Sequence, residues 1–69
     1  MFVLKETVNL NFNGKTQREV AEKIGITEFT LSKILNRKQS CSKMTAYCIT
    51  KFNDENAEIL DYFEYVEEI

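Results

Sequence analysis

Two short helix-forming segments on either side of a glycine constrain this chain more than any other feature. Thr16 has the position of a helix N-cap, and Glu19 follows three residues later as its capping-box partner. Gly25 stands where the end of a helix needs a left-handed residue, which glycine adopts without steric cost. Because Thr27 has the position of a second N-cap, residues 16–36 are predicted to form two helices joined by a tight turn.

The two predicted helices, about 17–24 and 28–35, share one apolar side. Apolar residues recur at spacings of three and four, as they do on the buried side of a helix. Those expected to fill the space between the helices are Val20, Ala21, Ile24, Ile26, Leu31, Ile34 and Leu35. The opposite side of the second helix consists of Glu28, Phe29, Ser32, Lys33 and Asn36.

The residues before the first helix show a different period. Apolar and polar side chains alternate over 2–12, which predicts an extended arm over 1–14 that closes in a turn at Asn13-Gly14. A short N-terminal helix is the competing interpretation of the same residues. Because an isolated strand leaves N–H and C=O groups unpaired, we expect the arm to pair with another strand, for which its copy in a second subunit is one candidate.

Two further helices are predicted after the pair. A polar loop leads to Ser42, the expected N-cap of a helix over 43–52, and a second polar break precedes a last helix over 57–67. The residues expected to face inward are Met44, Tyr47 or Cys48, Ile49 and Phe52 in the third helix and Ile59, Leu60, Phe63 and Val66 in the last. The predicted fold is mainly all-α, a small helix-turn-helix bundle of four helices with an extended N-terminal arm, in a single domain over 1–69.

The composition argues against several classes of function. The 69 residues are enough for one small domain, and they include no histidine and two cysteines, which removes the common zinc patterns and histidine-based catalysis. We therefore expect no enzyme activity, no cofactor and no metal. No apolar run predicts a membrane span or a secretory signal, and Cys41 and Cys48 fit reduced thiols. The expected location is the cytoplasm of a bacterial host cell.

The charge of the chain is divided between its two ends. Residues 1–51 hold all nine Lys and Arg side chains and four acidic ones, a net charge of +5, whereas residues 52–69 hold seven acidic side chains and no basic one, a net charge of −7. A basic run without acidic residues consists of Lys33, Arg37, Lys38, Lys43 and Lys51. This concentration of positive charge favours contact with a polyanion such as DNA. If all five residues met phosphates, the log–log dependence of affinity on salt would have a slope of roughly −4 to −5.

The helix pair also resembles a known family of regulators. The helix-turn-helix of phage repressor and Cro-like regulators is similar to TQREVAEKIGITEFTLSKILNRKQS, and the helix that follows it in that family is similar to SKMTAYCITKF. The similarity covers about residues 16–52. Family members usually have a long first helix before the motif, whereas this chain has only the strand-like arm.

The resemblance implies how the matching positions bind operator DNA. The residue matching Gln17 caps the first helix and reaches a phosphate or a base-bound side chain. The start of a recognition helix over 28–35 projects into the major groove, and the loop that follows meets phosphates. The DNA-binding residues that we predict are Gln17, Thr27, Glu28, Phe29, Ser32, Lys33, Asn36, Arg37, Lys38 and Lys43. The regulator is expected to act as a homo-oligomer or in a hetero-complex.

A second hypothesis keeps the fold and changes the partner. In its small size and acidity the chain resembles the modulator-of-repression proteins of temperate phages, which implies an antirepressor that binds a phage repressor and alters its DNA binding in the lysis–lysogeny switch. Phosphates would repel Glu28, and an exposed aromatic residue such as Phe29 is a typical anchor of a protein interface. The residues predicted to bind a protein partner are Glu28, Phe29, Tyr62, Tyr65 and Val66.

Overall fold

The computed structural model of this chain describes residues 1–67. Its elements in chain order are strand β1 (Phe2–Leu4), helix α1 (Gln17–Ile24), helix α2 (Glu28–Leu35), helix α3 (Lys43–Asn53), the one-turn helix α4 (Ile59–Tyr62) and strand β2 (Phe63–Tyr65). These residues form a small, mainly helical domain in which a two-stranded antiparallel sheet joins the two ends of the described chain. None of the helices in this part of the chain is long and apolar enough to cross a bilayer.

The helix pair α1–α2 has the predicted boundaries. Thr16 and Thr27 cap the two helices, because each threonine Oγ1 accepts a hydrogen bond from the backbone N–H three residues later, at 3.2 and 3.1 Å. Gly25 ends α1 with a φ of 95°, and the N–H groups of Gly25 and Ile26 both donate to the carbonyl of Ala21. Since glycine adopts this positive φ without a steric penalty, the chain turns directly into α2.

The core lies where the three longer helices meet the sheet. Its largest fully buried apolar side chains are Phe12, Val20, Leu31, Ile34, Ile49 and Phe63. The seven apolar residues predicted to fill the space between the first two helices all belong to this core or pack against it. Burial of each large apolar side chain contributes on the order of 1.5 to 3 kcal/mol, so this cluster is the main source of the stability of the domain.

Helix α3 begins at the predicted residue and buries Ile49 as predicted, together with Ala46 and Thr50. Met44, which was also predicted to face inward, is 71% exposed. Of the two alternatives Tyr47 and Cys48, Tyr47 is 50% exposed and Cys48 is half-buried. Ala46 is small enough for α3 to lie close to the rest of the core, and this approach leaves the bulkier side chains outside.

The predicted helix over 57–67 is wrong beyond its first turn. Helix α4 ends at Tyr62 because Phe63 has extended dihedral angles (φ −120°, ψ 155°) and begins β2. Apolar residues spaced by three and four fit a helix, yet Phe63 and Tyr65 also share one face of a strand. Pairing with β1 satisfies backbone N–H and C=O groups and buries Phe63 completely. Leu60, which the helical pattern directs inward, is exposed.

The N-terminal segment pairs with another strand, as expected, but it is not an extended arm over 1–14. Its first residues do form a strand, but β1 pairs with β2 of the same chain, with Phe2 opposite Tyr65. On the other edge of β1, Phe2 forms a backbone bridge with Cys41. The predicted turn is present as a short 3-10 helix over Phe12–Gly14. Because α4 is a single turn, the sheet closes the core of residues 1–67, and the predicted bundle of four full helices is not observed.

Candidate nucleic-acid interface

Helix α2 projects one of its sides away from the core. Leu31 and Ile34 are buried, so the residues on the opposite side of the helix face outward. Phe29 is 69% exposed, and Glu28 and Lys33 are exposed close to it in the sequence. A helix that is held by one apolar side therefore presents a mixed aromatic and charged surface to solvent.

A shallow depression on α2 and the loop after it brings five of the predicted DNA-binding residues together. Its lining, which we call the α2 outer face, consists of Phe29, Ser32, Lys33, Asn36 and Lys38. The Nζ of Lys33 lies 4.7 Å from the centre of the Phe29 ring, within the range of a cation–π contact. The Nδ2 of Asn36 donates to the carbonyl and to the hydroxyl of Ser32, at 2.9 and 3.3 Å. These contacts order a surface that carries positive charge, an aromatic ring and hydrogen-bonding groups.

Two further predicted contacts lie at the starts of helices. Thr27 uses its hydroxyl within α2, where Oγ1 accepts from the N–H of Thr30 and donates to the Thr30 hydroxyl at 2.9 Å. Gln17 is exposed at the start of α1 and lines a small cleft with Asn36 and Arg37. The structure therefore brings the start of α1 close to the end of α2, whereas Thr27 acts as a helix cap.

Arg37 anchors the N-terminal segment, a role that the sequence did not reveal. Its guanidinium donates to the carbonyl of Lys5, from Nε at 3.1 Å and from Nη2 at 2.5 Å, and to the carbonyl of Val8 at 2.8 Å. Nη1 also donates to the carbonyl of Leu35, at 3.4 Å. These bonds engage the guanidinium inside the chain, so a phosphate contact of Arg37 would compete with this main-chain anchor.

Lys51, the last residue of the basic run, is also engaged within the chain. Its Nζ donates to the carbonyls of Glu55 and Ala57, at 3.2 and 2.7 Å. The exposed lysines that remain in the run are Lys33, Lys38 and Lys43. With three phosphate contacts instead of five, the expected salt slope falls to about −2.7.

The N-terminal turn of α3 forms a second exposed surface, separate from the α2 outer face. Lys43 lines a depression there together with Met44 and Tyr47. The sequence predicted a phosphate contact for Lys43, an inward position for Met44, and an inward position for either Tyr47 or Cys48. Ala46 gave the signal for the true orientation, because a small residue at a helix crossing permits the closest approach.

The predicted protein-binding residues divide between two parts of the molecule. Glu28 and Phe29 lie on α2, whereas Tyr62, Tyr65 and Val66 lie on β2 and its flanks. Tyr65 is 62% exposed, and its ring contacts the ring of Phe2 edge-on, with centroids 5.5 Å apart. Tyr62 and Val66 are half-buried. The strand that replaces the predicted helix thus leaves Tyr65 as the most accessible of the three.

The thiol of Cys41 is buried beside β1. Burial of Cys41 raises the pKa of its thiol to about 11, although the charged amine of Met1 partly offsets this effect. The thiol is therefore protonated and poorly nucleophilic at neutral pH. Among residues 1–67, no three side chains of His, Cys, Asp or Glu converge where they could hold a metal ion.

No protein-family model matches this chain, and no curated protein or solved structure is significantly similar to it. The resemblance of residues 16–52 to phage repressor and Cro-like regulators therefore stays a prediction. The function has to be inferred from the residues and their geometry.

Proposed function

We propose that this chain is a small phage-type transcriptional regulator that binds operator DNA through α2. The observation that supports the proposal most strongly is the presentation of α2, whose apolar side is buried, whose start is capped and whose outer face is exposed. An α-helix is about 10 to 12 Å wide and the major groove of B-DNA is about 12 Å wide. A helix presented in this way can enter the groove without rearrangement of the domain.

Three exposed side chains of α2 offer groups that can read bases. The Phe29 ring can contact the methyl group of thymine, and the ammonium of Lys33 can bind guanine O6 and N7 while it also lies close enough to the groove edge to neutralise a phosphate. The carboxylate of Glu28 can accept a hydrogen bond from the amino group of cytosine, although nearby phosphates repel it. A good bidentate base contact is worth about 1 to 3 kcal/mol, so these residues would supply sequence preference.

Groups outside the groove would orient the protein on the duplex. Lys38 follows α2 and Lys43 begins α3, and both are exposed. Gln17 lies at the start of α1, where backbone N–H groups and the helix dipole favour an anion. Contacts of this kind set the position of the protein without reading the sequence.

Selection from a random-sequence duplex library, followed by fluorescence anisotropy at several salt concentrations, tests the proposal. A slope of about −2.7 means that a fourfold increase in salt weakens binding about 40-fold. The variant Lys33→Ala/Lys38→Ala should bind more weakly and lower the magnitude of the slope by about 2, because each lost phosphate contact removes about 1.

A matched control removes the same charge from another part of the surface. Lys15 and Lys23 are exposed and lie outside the predicted contact set, so Lys15→Ala/Lys23→Ala should retain the parental slope. An equal loss in both double variants would mean that net charge, rather than α2, determines binding. Failure of the library to yield a preferred sequence, together with an unchanged slope in Lys33→Ala/Lys38→Ala, would overturn the proposal.

A phage repressor is the second candidate partner, and the exposure of Phe29 is the observation that favours it. An aromatic ring that is 69% exposed beside Glu28 suits the centre of a protein interface, where such anchors are enriched. If a repressor is the partner, Phe29→Ala should weaken that complex by about 2 kcal/mol, or roughly 30-fold. Calorimetric titration into a panel of purified phage repressors measures this loss, and an affinity unchanged by Phe29→Ala would exclude α2 as the binding surface.

A further inference from the structure

Helix α3 carries an apolar strip on the side that faces away from the core. Met44 and Tyr47 are its most exposed members, and the half-buried Cys48 continues the strip towards Phe52, which packs partly against the core. Two adjoining depressions share Tyr47 as a common lining residue. Their combined lining, which we call the α3 outer face, consists of Lys43, Met44, Tyr47, Cys48, Lys51 and Phe52. A continuous exposed apolar strip of this kind is typical of an interaction surface.

The α3 outer face is positively charged at both ends. Lys43 and Lys51 border the apolar strip. The Nζ of Lys51 donates to the neutral carbonyls of Glu55 and Ala57, so its positive charge persists 5.5 Å from the centre of the Tyr47 ring. The sequence of α3, KMTAYCITKFN, contains no acidic residue. An apolar surface with two flanking cations fits a partner that is both apolar and acidic.

The C-terminal part of the same chain has the opposite charge and a matching apolar content. Leu60 and Tyr65 are 63% and 62% exposed. The exposed acidic residues around them in the sequence are Glu58, Asp61, Glu64 and Glu67, and no basic residue occurs in residues 52–69. We call the exposed residues of the segment 58–67 the acidic end.

We infer that a second copy of this chain docks its acidic end on the α3 outer face. A two-fold contact between two α3 outer faces is disfavoured, because either orientation of the helices would bring lysines of the two copies together. In the head-to-tail contact, Leu60 and Tyr65 of one copy meet Met44 and Tyr47 of the next, and carboxylates face lysines. Apolar burial and charge attraction then act in the same direction.

The contact is heterologous, because it joins two different surfaces. In a dimer, one copy therefore keeps an unoccupied α3 outer face and the other keeps an unoccupied acidic end. Such a contact either closes into a ring or continues as an open chain of copies. None of the residues of the α2 outer face takes part. The inference therefore does not rest on the proposed DNA binding, and its test needs no nucleic acid.

Sedimentation velocity with two complementary blocked variants tests the inference. Met44→Glu/Tyr47→Glu removes the α3 outer face, and Leu60→Lys/Tyr65→Lys removes the acidic end. The parent should associate with rising concentration and dissociate with added salt, whereas each variant alone should be monomeric, with a dissociation constant raised at least about 30-fold, as expected for lost anchor residues. An equimolar mixture of the two variants should form a heterodimer and stop there, because each variant retains the surface that the other has lost.

A matched control changes the net charge by the same amount as Met44→Glu/Tyr47→Glu, at exposed positions outside both surfaces. Lys15→Ala/Lys23→Ala should associate like the parent. Circular dichroism reports the folding of each variant, and Met44→Ala/Tyr47→Ala with Leu60→Ala/Tyr65→Ala repeats the mixing experiment if a charged pair does not fold. A parent that stays monomeric at every concentration, or a mixture that stays monomeric while the parent associates, would overturn the head-to-tail contact.

Discussion

The helix pair α1–α2 and the terminal sheet β1–β2 are stabilised over very different distances along the chain. The caps and the turn of the helix pair are formed by residues within 16–30. The sheet pairs Phe2 with Tyr65, so its hydrogen bonds close a loop that contains nearly the whole described chain. Closing a long loop costs more conformational entropy than forming a contact between residues that are close in the sequence. The presentation of α2 is therefore a local property, whereas the sheet depends on anchors supplied by the rest of the fold.

The two regions are joined at Arg37. Arg37 follows α2 with a φ of 62°, and the N–H of Lys38 donates to the carbonyl of Lys33 at 2.9 Å, which closes the helix end as glycine usually does. Its guanidinium holds the carbonyls of Lys5 and Val8, just after β1. One side chain thus connects the end of the proposed recognition helix to the segment that follows β1.

Phe63→Ala should have the largest effect on the sheet. Phe63 is fully buried, and truncation of a buried phenylalanine costs about 3 to 5 kcal/mol. Urea unfolding measures the free energy of unfolding. Phe29→Ala is the control, since an exposed aromatic ring outside the core should change stability by less than about 0.5 kcal/mol. Similar small losses in both variants would mean that β2 does not anchor the sheet.

A comparison of Arg37→Ala with Arg37→Gly should separate two contributions to stability: the hydrogen bonds of the guanidinium and the cost of the left-handed backbone at this position. Both variants lose the hydrogen bonds of the guanidinium, which we expect to cost about 2 to 3 kcal/mol in urea unfolding. Glycine should recover about 1 kcal/mol, because the left-handed φ no longer opposes a side chain. The salt slope of DNA binding should be the same in Arg37→Gly as in the parent, and a slope reduced by about 1 would restore Arg37 as a phosphate contact.

Alkaline pH should weaken the contact of Cys41 with the edge of β1. Burial raises the pKa of this thiol from 9.0 to about 11 in the folded protein, so the unfolded chain releases the proton first. The resulting stability is complete below pH 9.0 and is lost as the pH rises towards about 11, by about 2 to 3 kcal/mol. Cys41→Ala should lack this part of the decline in urea unfolding. Parallel pH profiles for the two proteins would contradict the burial of the thiol.

Gly25→Ala should have the smallest effect and should be confined to the helix pair. A Cβ at this position would meet no atom within 4 Å, so the cost is the positive φ alone, about 1 to 2 kcal/mol. Thermal unfolding should show a lower midpoint with unchanged helix content. Lys23→Ala, in the exposed last turn of α1, is the control. A much larger loss in Gly25→Ala would indicate that the turn between α1 and α2 is more crowded than the structure shows.

The sequence predicted best the features that depend only on residues close together in the chain. Caps at Thr16 and Thr27, glycine at 25 and the apolar spacing gave the boundaries of α1 and α2, and they gave the outward side of α2. In α3 the same kind of pattern predicted the burial of Ile49 correctly but placed Met44 inward, because Met44 and Ala46 begin two alternative apolar stripes. The close approach of the neighbouring elements determines that the stripe containing Ala46 is the buried one. The same holds for the candidate site. The exposed residues of α2 could be predicted from the sequence, whereas the hydrogen bonds of Arg37 to main-chain carbonyls could not.

By itself, the sequence determined a capped, glycine-linked pair of helices with a mixed aromatic and charged outer side, and it determined the separation of basic and acidic charge. The tertiary structure alone decided that the residues after Tyr62 form a strand, that β1 pairs within its own chain, and that Arg37 binds carbonyls. The reason is physical. Helix caps and turns are satisfied within a few residues, whereas a strand and a half-buried guanidinium need partners that the folded chain brings from a distance.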